Sequence, residues 1–219
     1  MTIEKGEPWG STFDDELPGL AAVDDADLAR LADEHRSGGR MPVILVGRGD
    51  VATTIGADDV LLDADAAGAR HHRYPMDLGV VSLGNRAGLA QRTVPFVAHV
   101  MGHRWPWWLR GLSPWPELIV MNAPLASGLR LGPRAHPNDG RLDVTVGSLP
   151  WRQGREAKRR AATGTHLPHP RLEVSRKGEA EFSPGRRLRV VVDGVDQGRW
   201  SWLSVSIVPD AFVLVARVA

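Results

Sequence analysis

Apolar residues along the chain fall into short runs and period-two alternations, broken at close intervals by turn residues, which predicts a mostly β protein. One helical pattern comes first: Asp24 or Asp25 can cap a helix whose Leu28, Leu31 and Ala32 share a face and which ends near Gly38 and Gly39. The residues before it, 1 to about 20, are rich in Gly, Pro and acids and predict an irregular arm anchored by Trp9 and Phe13. Residues 41–46 read as a buried strand that runs into Gly47, Arg48, Gly49 and Asp50 and then a short helical piece over 51–55. From Val60 onward the strand signals dominate, at 74–83, 93–101, Leu118–Met121 and Leu142–Val146, then at 172–175, 180–182, Leu188–Val192, 200–208 and 212–218. The last two are expected as a pair hinged at Pro209 and Asp210, and Asp193-Gly194 as a tight turn. A charged, helix-permissive segment at 151–162 interrupts the strands. The pattern is therefore a small α/β head followed by a long β-rich body with one inserted helix.

Composition narrows the class without naming a chemistry. With 42% apolar and 24% charged residues over 219 positions, the chain has the make-up of a globular protein. A formal net charge of +1 gives no electrostatic argument for nucleic acid. The absence of cysteine excludes disulfides, thiolate metal sites and thiol nucleophiles. The start, MTIEKGEPWG, lacks the basic and apolar regions of a signal peptide, and no apolar run approaches the ~20 residues of a spanning helix. No transmembrane segment and a cytoplasmic location are expected.

Candidate chemistry concentrates in three places. A strand feeding Gly47, Gly49 and Asp50 and then a helix start is a geometry that can hold phosphate on exposed N–H groups; steric relief at a corner is the plainer alternative. His136, Pro137, Asn138, Asp139 and Gly140 stack turn signals between two strands and predict a tight loop with one buried or half-buried carboxylate. Arg152, Arg155, Lys158, Arg159 and Arg160 against the single acid Glu156 suit an anionic lipid or phosphate ligand, or simply a solvated helix face. Trp105, Trp107, Trp108 and Trp115 suit a ligand- or lipid-facing surface, but are read first as a core edge or subunit contact, which leaves room for a homodimer. His99 and His103, four apart in a β-rich run, are read as ordinary residues rather than metal ligands, as are His71 and His72.

Taken in order, these features resemble the C-terminal half of diacylglycerol and sphingosine kinase-like lipid kinases, which share a fold superfamily with NAD kinases. The resemblance covers roughly residues 75–219. It rests on Asn122 after its strand, on Pro133 and Ala135 leading into Asp139-Gly140-Arg141-Leu142-Asp143, on Gly164 and His166, and on Asp193-Gly194 followed by Val208-Pro209-Asp210-Ala211. It implies an α+β, mostly β fold: an antiparallel β-sandwich over 71–219 with one inserted helix, and a small truncated α/β head with its arm over 1–70. It also implies an active site between them, with Gly47, Gly49, Asp50 and Asn122 on the cofactor side. A structural Mg²⁺ is implied at Asp139, with main-chain carbonyls of His136 and Arg141 completing the oxygen set.

The catalytic residues of the family are not all matched. Its turn reads Asp-Gly-Glu, with the Glu as general base on the lipid hydroxyl, and here Val195 holds that position. Asp196, one residue along, faces the other side of a strand unless a bulge intervenes. The family's Gly-Gly-Asp-Gly-Thr phosphate loop is echoed by Gly47-Arg48-Gly49-Asp50, with Arg48 and Val51 where glycines would stand. About 40 residues precede the first buried strand, room for one helix but not for repeated βαβ units. The expectation is a catalytically defective lipid-kinase-like binding or regulatory module. The alternatives are an active ATP-dependent lipid kinase using Asp50, Asp193 and a bulge-rescued Asp196, and one chain of a split kinase.

Overall fold

The computed structural model describes residues 9–13, 19–36, 41–57, 71–104 and 115–217. In chain order the elements are β1 (Ser11–Phe13), β2 (Ala21–Ala22), α1 (Asp25–Arg36), β3 (Val43–Val46), α2 (Asp50–Thr54), β4 (His71–Gly84), β5 (Arg92–Phe96), β6 (His99–His103) and β7 (Leu118–Met121). There follow β8 (Leu142–Val146), α3 (Trp151–Ala161), β9 (Glu173–Lys177), β10 (Glu179–Phe182), β11 (Leu188–Val192), β12 (Val195–Trp200) and β13 (Trp202–Arg217). This is the mostly β, α+β architecture that the pattern predicts.

Two sheets form the body. One is ordered β1-β4-β13-β3-β2, with β5 on β4 and β10 on β13; the other is ordered β12-β11-β6-β7-β8-β9. Their facing sides close a sandwich core in which Val81, Leu83, Phe96 and Leu203 meet Val120, Leu142, Val144 and Val190. Strand β7 is apolar at every position because both its faces are covered. Leu118 and Val120 enter the sandwich, while Ile119 and Met121 face a second core with Trp115, Leu131 and the small residues Ala157 and Ala161 of α3.

The spine is the antiparallel pair β4–β13, which runs in register from Trp202↔Gly84 to Arg217↔His71 with one shift between Val208 and Phe212. Its far half leaves the sandwich and builds the head. There β3 lies parallel to β13, β2 parallel to β3, and α1 packs Leu28 and Ala32 against Ile44, Met76, Phe212 and Leu214. Helix α1 begins as expected, with the Asp24 carboxylate accepting the Asp27 N–H at 2.9 Å.

Four local expectations are corrected. The arm is not wholly irregular: Ser11–Phe13 pairs with β4, and Trp9 tilts against Tyr74 at 5.0 Å between ring centroids. The run 93–101 is two strands, because the chain passes from one sheet to the other at Val97-Ala98. The strand expected over 200–208 is divided at Ser201, where β12 ends and β13 begins. Pro209-Asp210 is then no hinge between two strands but a bulge inside the continuous β13, where Asp210 adopts a φ of 48°. Trp105, Trp107 and Trp108, and the expected helix end at Gly38 and Gly39, lie outside the described residues.

Sandwich closure depends on one small residue. A side-chain carbon at Gly79 would overlap the fully buried ring of Phe96 on the paired strand. Gly79→Ala is expected to cost about 1–3 kcal/mol by overpacking. That lowers the melting temperature by roughly 2–10 °C in thermal denaturation, and Phe96→Leu in the same chain should recover part of the loss.

Candidate functional site

The site starts at the sheet-switching corner. Three successive N–H groups, of Val97, Ala98 and His99, donate to the carboxylate of Asp193 at 2.7, 3.1 and 2.7 Å. Asp193 reaches them from the turn after β11, with a φ of 41°. The expected Asp-Gly turn is thus present, with its carboxylate directed inward. Gly194 follows it at the edge of a cleft.

The second wall comes from the head. At the start of α2 the Asp50 and Val51 N–H groups donate to the Asp25 carboxylate at 2.6 and 3.2 Å. Gly49, at a φ of 124°, makes room for this: a side-chain carbon there would overlap the Asp25 carboxylate. The Asp50 carboxylate in turn accepts the N–H groups of Ser127 and Gly128 at 2.9 and 3.4 Å. Buried His99 lies between the walls, its Nδ1 3.8 Å from Asp50 and 4.0 Å from Asp193. The result is a cleft of about 410 Å³ lined by Asp24, Asp25, Arg48, Asp50, His99 and Asp193, among others. It shares His99, Ser127 and Gly194 with a neighbouring pocket of about 260 Å³, whose walls include Met101, Trp115, Leu129 and Leu131.

Electrostatics follow from packing. Burial pushes the Asp25 carboxyl up to about 7, with the Asp193 charge adding to the effect and the two N–H bonds opposing it. Asp193 is likewise raised to about 7 by burial, against its three N–H bonds. Burial holds His99 below the ordinary histidine range, so the imidazole is neutral at pH 7.

A second centre lies around Asp77, a fully buried acid in β4. Its carboxylate accepts the Gly140 and Asp210 N–H groups at 2.7 and 2.9 Å and the Asn138 amide at 3.4 Å, while its own N–H donates to the Pro137 carbonyl at 2.7 Å. Burial raises this carboxyl to about 6. Asn122, expected on the cofactor side, donates from its buried side chain to the Asp77 and Val97 carbonyls at 3.2 and 2.9 Å. It thereby ties this centre to the corner.

The Asp139 carboxylate, expected to hold Mg²⁺ with the main-chain carbonyls of His136 and Arg141, is engaged by groups of the same chain. One oxygen of Asp139 accepts the Arg141 N–H at 3.0 Å, and the other is bound by the guanidinium of Arg176. The His136 ring accepts the Asn138 N–H at 3.2 Å and meets the edge of Trp9. Among the described residues, no three His, Asp or Glu side chains converge as a metal site.

The structure therefore brings Gly49, Asp50 and Asp193 to one cleft, with buried Gly47 next to the lining residue Arg48, while Asn122, His136, Asp139, Arg141 and Asp196 are not part of its lining. A bulge does interrupt the β11–β12 pairing between Val190 and Val191. Asp196 nonetheless pairs with Arg189 at 2.6 Å on the sandwich sheet, and Val195 is exposed. Asp25, His99 and Asp77 are the residues that sequence reasoning missed. Asp77 carried a signal, being a lone acid inside an apolar strand; Asp25 looked like a helix cap, and nothing local marked His99.

Residues 117–216 match the family model of the YegS C-terminal NAD kinase beta sandwich-like domain. This part of the chain, just under half of it, is similar to the C-terminal domain of a diacylglycerol kinase-like family. No curated protein matches the chain by sequence. Among solved structures it is similar to three described as diacylglycerol kinases, all from Bacillus anthracis str. Sterne, two of them by provisional assignment. The first has a TM-score of 0.55 at 11% identity, over 88% of this chain and 83% of that one. The second has 0.50 at 11%, over 88% and 82%; the third has 0.53 at 10%, over 89% and 75%. At such identities the likeness establishes a shared fold.

The raised carboxyls set a pH dependence. Asp25 and Asp193 are neutral in the fold at a pH where the unfolded chain, with carboxyls near 3.8, has already ionised. Their contribution to stability is fully present below about pH 4 and is lost as pH rises through about 7. The melting temperature is expected to fall by roughly 5 °C or more from pH 5 to pH 8, and Asp25→Asn to flatten that slope. A melting temperature that is level or rising over this range contradicts the assignment.

Proposed function

We propose that this chain is a lipid-kinase-like binding or regulatory module that does not transfer phosphate. The observation that carries this reading is the seat of Asp25. A triphosphate held at a strand-to-helix corner needs free N–H groups at the helix start. Here those of Asp50 and Val51 are taken by a carboxylate of the same chain. Asp24 and Asp50 also line the cleft, beside Arg48, and oppose a polyanion. The group that would take the proton from an acceptor hydroxyl is also missing, since Val195 is apolar and Asp196 is engaged with Arg189. Loss of general-base catalysis alone typically costs ~10²- to 10⁴-fold, and loss of phosphate positioning adds to it.

What the site offers instead is an apolar pocket opening beside an acidic cleft. The pocket suits an aliphatic chain, and the carboxyls suit a hydroxyl or amine head group rather than a phosphate. Lys158 also lines the pocket, so the ligand class most consistent with both is an uncharged amphiphile such as a monoacylglycerol. No helix among the described residues is long and apolar enough to cross a membrane.

Two measurements test the reading. Millimolar Mg-ATP is expected to leave the melting temperature unchanged, and labelled ATP to give no labelled lipid with diacylglycerol or a total lipid extract. Titration with a short-chain monoacylglycerol is expected to change tryptophan emission, an effect lost in Trp115→Phe. A Mg-ATP-dependent stabilisation that disappears in Asp50→Asn, or transfer of label to any lipid, would make the chain a working kinase.

A further inference from the structure

We infer that the guanidinium of Arg176 stands in this chain where a divalent cation would otherwise close the Asp139 loop, so that the loop is assembled without metal. Strands β8 and β9 place Asp143 directly opposite Arg176. From there Arg176 forks: Nε lies 3.0 Å from an Asp143 oxygen, and Nη2 binds Asp139. Asp143 is buried and the Asp139 side chain largely so, which leaves two carboxylates side by side in poor solvent. Such a pair, if both members are ionised, holds together with a cation between them. A divalent ion and a forked guanidinium are alternative solutions to that problem, and Arg is suited to it because its donors are planar and permanently charged.

Competition between the two is direct. Mg²⁺ requires nearly octahedral oxygen ligands at about 2.0–2.1 Å. Both Asp139 oxygens already accept hydrogen bonds, one from the Arg141 N–H and one from Arg176, so an entering ion would have to displace the guanidinium. Arg176 acts here as a positioning residue. It fixes Asp139, and the adjoining Gly140 N–H and Asn138 amide are then presented to Asp77, which also holds the β13 bulge through the Asp210 N–H. This assignment is independent of whether the cleft at Asp50 transfers phosphate.

The test uses the full chain and reads metal dependence rather than activity. Elemental analysis of the purified wild type is expected to show no stoichiometric Mg, Ca or Mn, with melting temperatures in EDTA and in 10 mM Mg²⁺ or Ca²⁺ that agree within about 1 °C. Arg176→Met is expected to melt lower by roughly 3–10 °C in EDTA and to regain part of that loss with Mg²⁺, Ca²⁺ or Mn²⁺. Adding Asp139→Asn to the variant should abolish the regain. Should Arg176→Met not fold, Arg176→Lys keeps the charge without the fork, and the same metal-dependent recovery is expected of it. A wild type that carries one equivalent of divalent ion and loses stability in EDTA overturns the inference. So does an Arg176→Met variant that melts with the wild type, or one that melts lower and responds to no divalent ion.

Discussion

The acceptance of three consecutive main-chain N–H groups by the Asp193 carboxylate holds this molecule's two sheets in their relation. Between β5 and β6 the chain leaves one sheet for the other, and at this corner the N–H groups of Val97, Ala98 and His99 turn toward the end of β11. Left unpaired in a buried corner, each would cost roughly 1–3 kcal/mol. One carboxylate meets all three, and in doing so fixes the end of β11 against the start of β6. The cleft beside it follows from this, because its floor is the corner and one wall is the Asp193-Gly194 turn.

Asp77 solves a comparable problem at the other break in regular pairing. The bulge in β13 and the loop between β7 and β8 both present N–H groups to the interior, from Asp210 and Gly140, and one acid in the partner strand β4 takes both. Asn122 links the two solutions by donating to a carbonyl at each centre. The spine β4–β13 can therefore run from sandwich to head without losing its register beyond a single shift. Head and sandwich share that sheet, so the position of Asp50 opposite Asp193 is set by strand pairing as well as by loop contacts.

The sequence made the strands legible wherever burial was one-sided or complete, as in β7, β8, β11 and the start of β4. It also located α3, whose cations and buried alanines separate by face, and the three turns that matter: Gly47–Asp50, Asn138–Gly140 and Asp193-Gly194. Sheet membership was not legible. The run from Thr93 to Met101 has one uniform composition, yet its two halves belong to different sheets, and the corner between them is held by a residue almost a hundred positions away. The candidate site was half legible for the same reason. Gly49, Asp50 and Asp193 sit in turns with local signatures, whereas Asp25 resembles any helix cap until the fold brings the start of α2 to its carboxylate. Arg176 lies in an exposed polar strand and reads as a surface residue until β8 sets Asp143 across from it. Partners distant in sequence carry no mark of one another when neither lies in a turn.

A common feature joins the cleft and the Asp139 loop. At each of them charge is met from within the chain. In this chain an internal carboxylate lies on the first and an internal guanidinium on the second. Internal charges differ from bound ligands in that they are present at every concentration of ligand, and their geometry is fixed when the chain folds. Any group that took the Asp50 and Val51 N–H groups would have to expel Asp25 from a buried seat that Gly49 shapes for it. Both contacts therefore act in one direction: each satisfies a polar or charged group without anything from outside the chain. The apolar pocket beside the cleft takes part in neither contact.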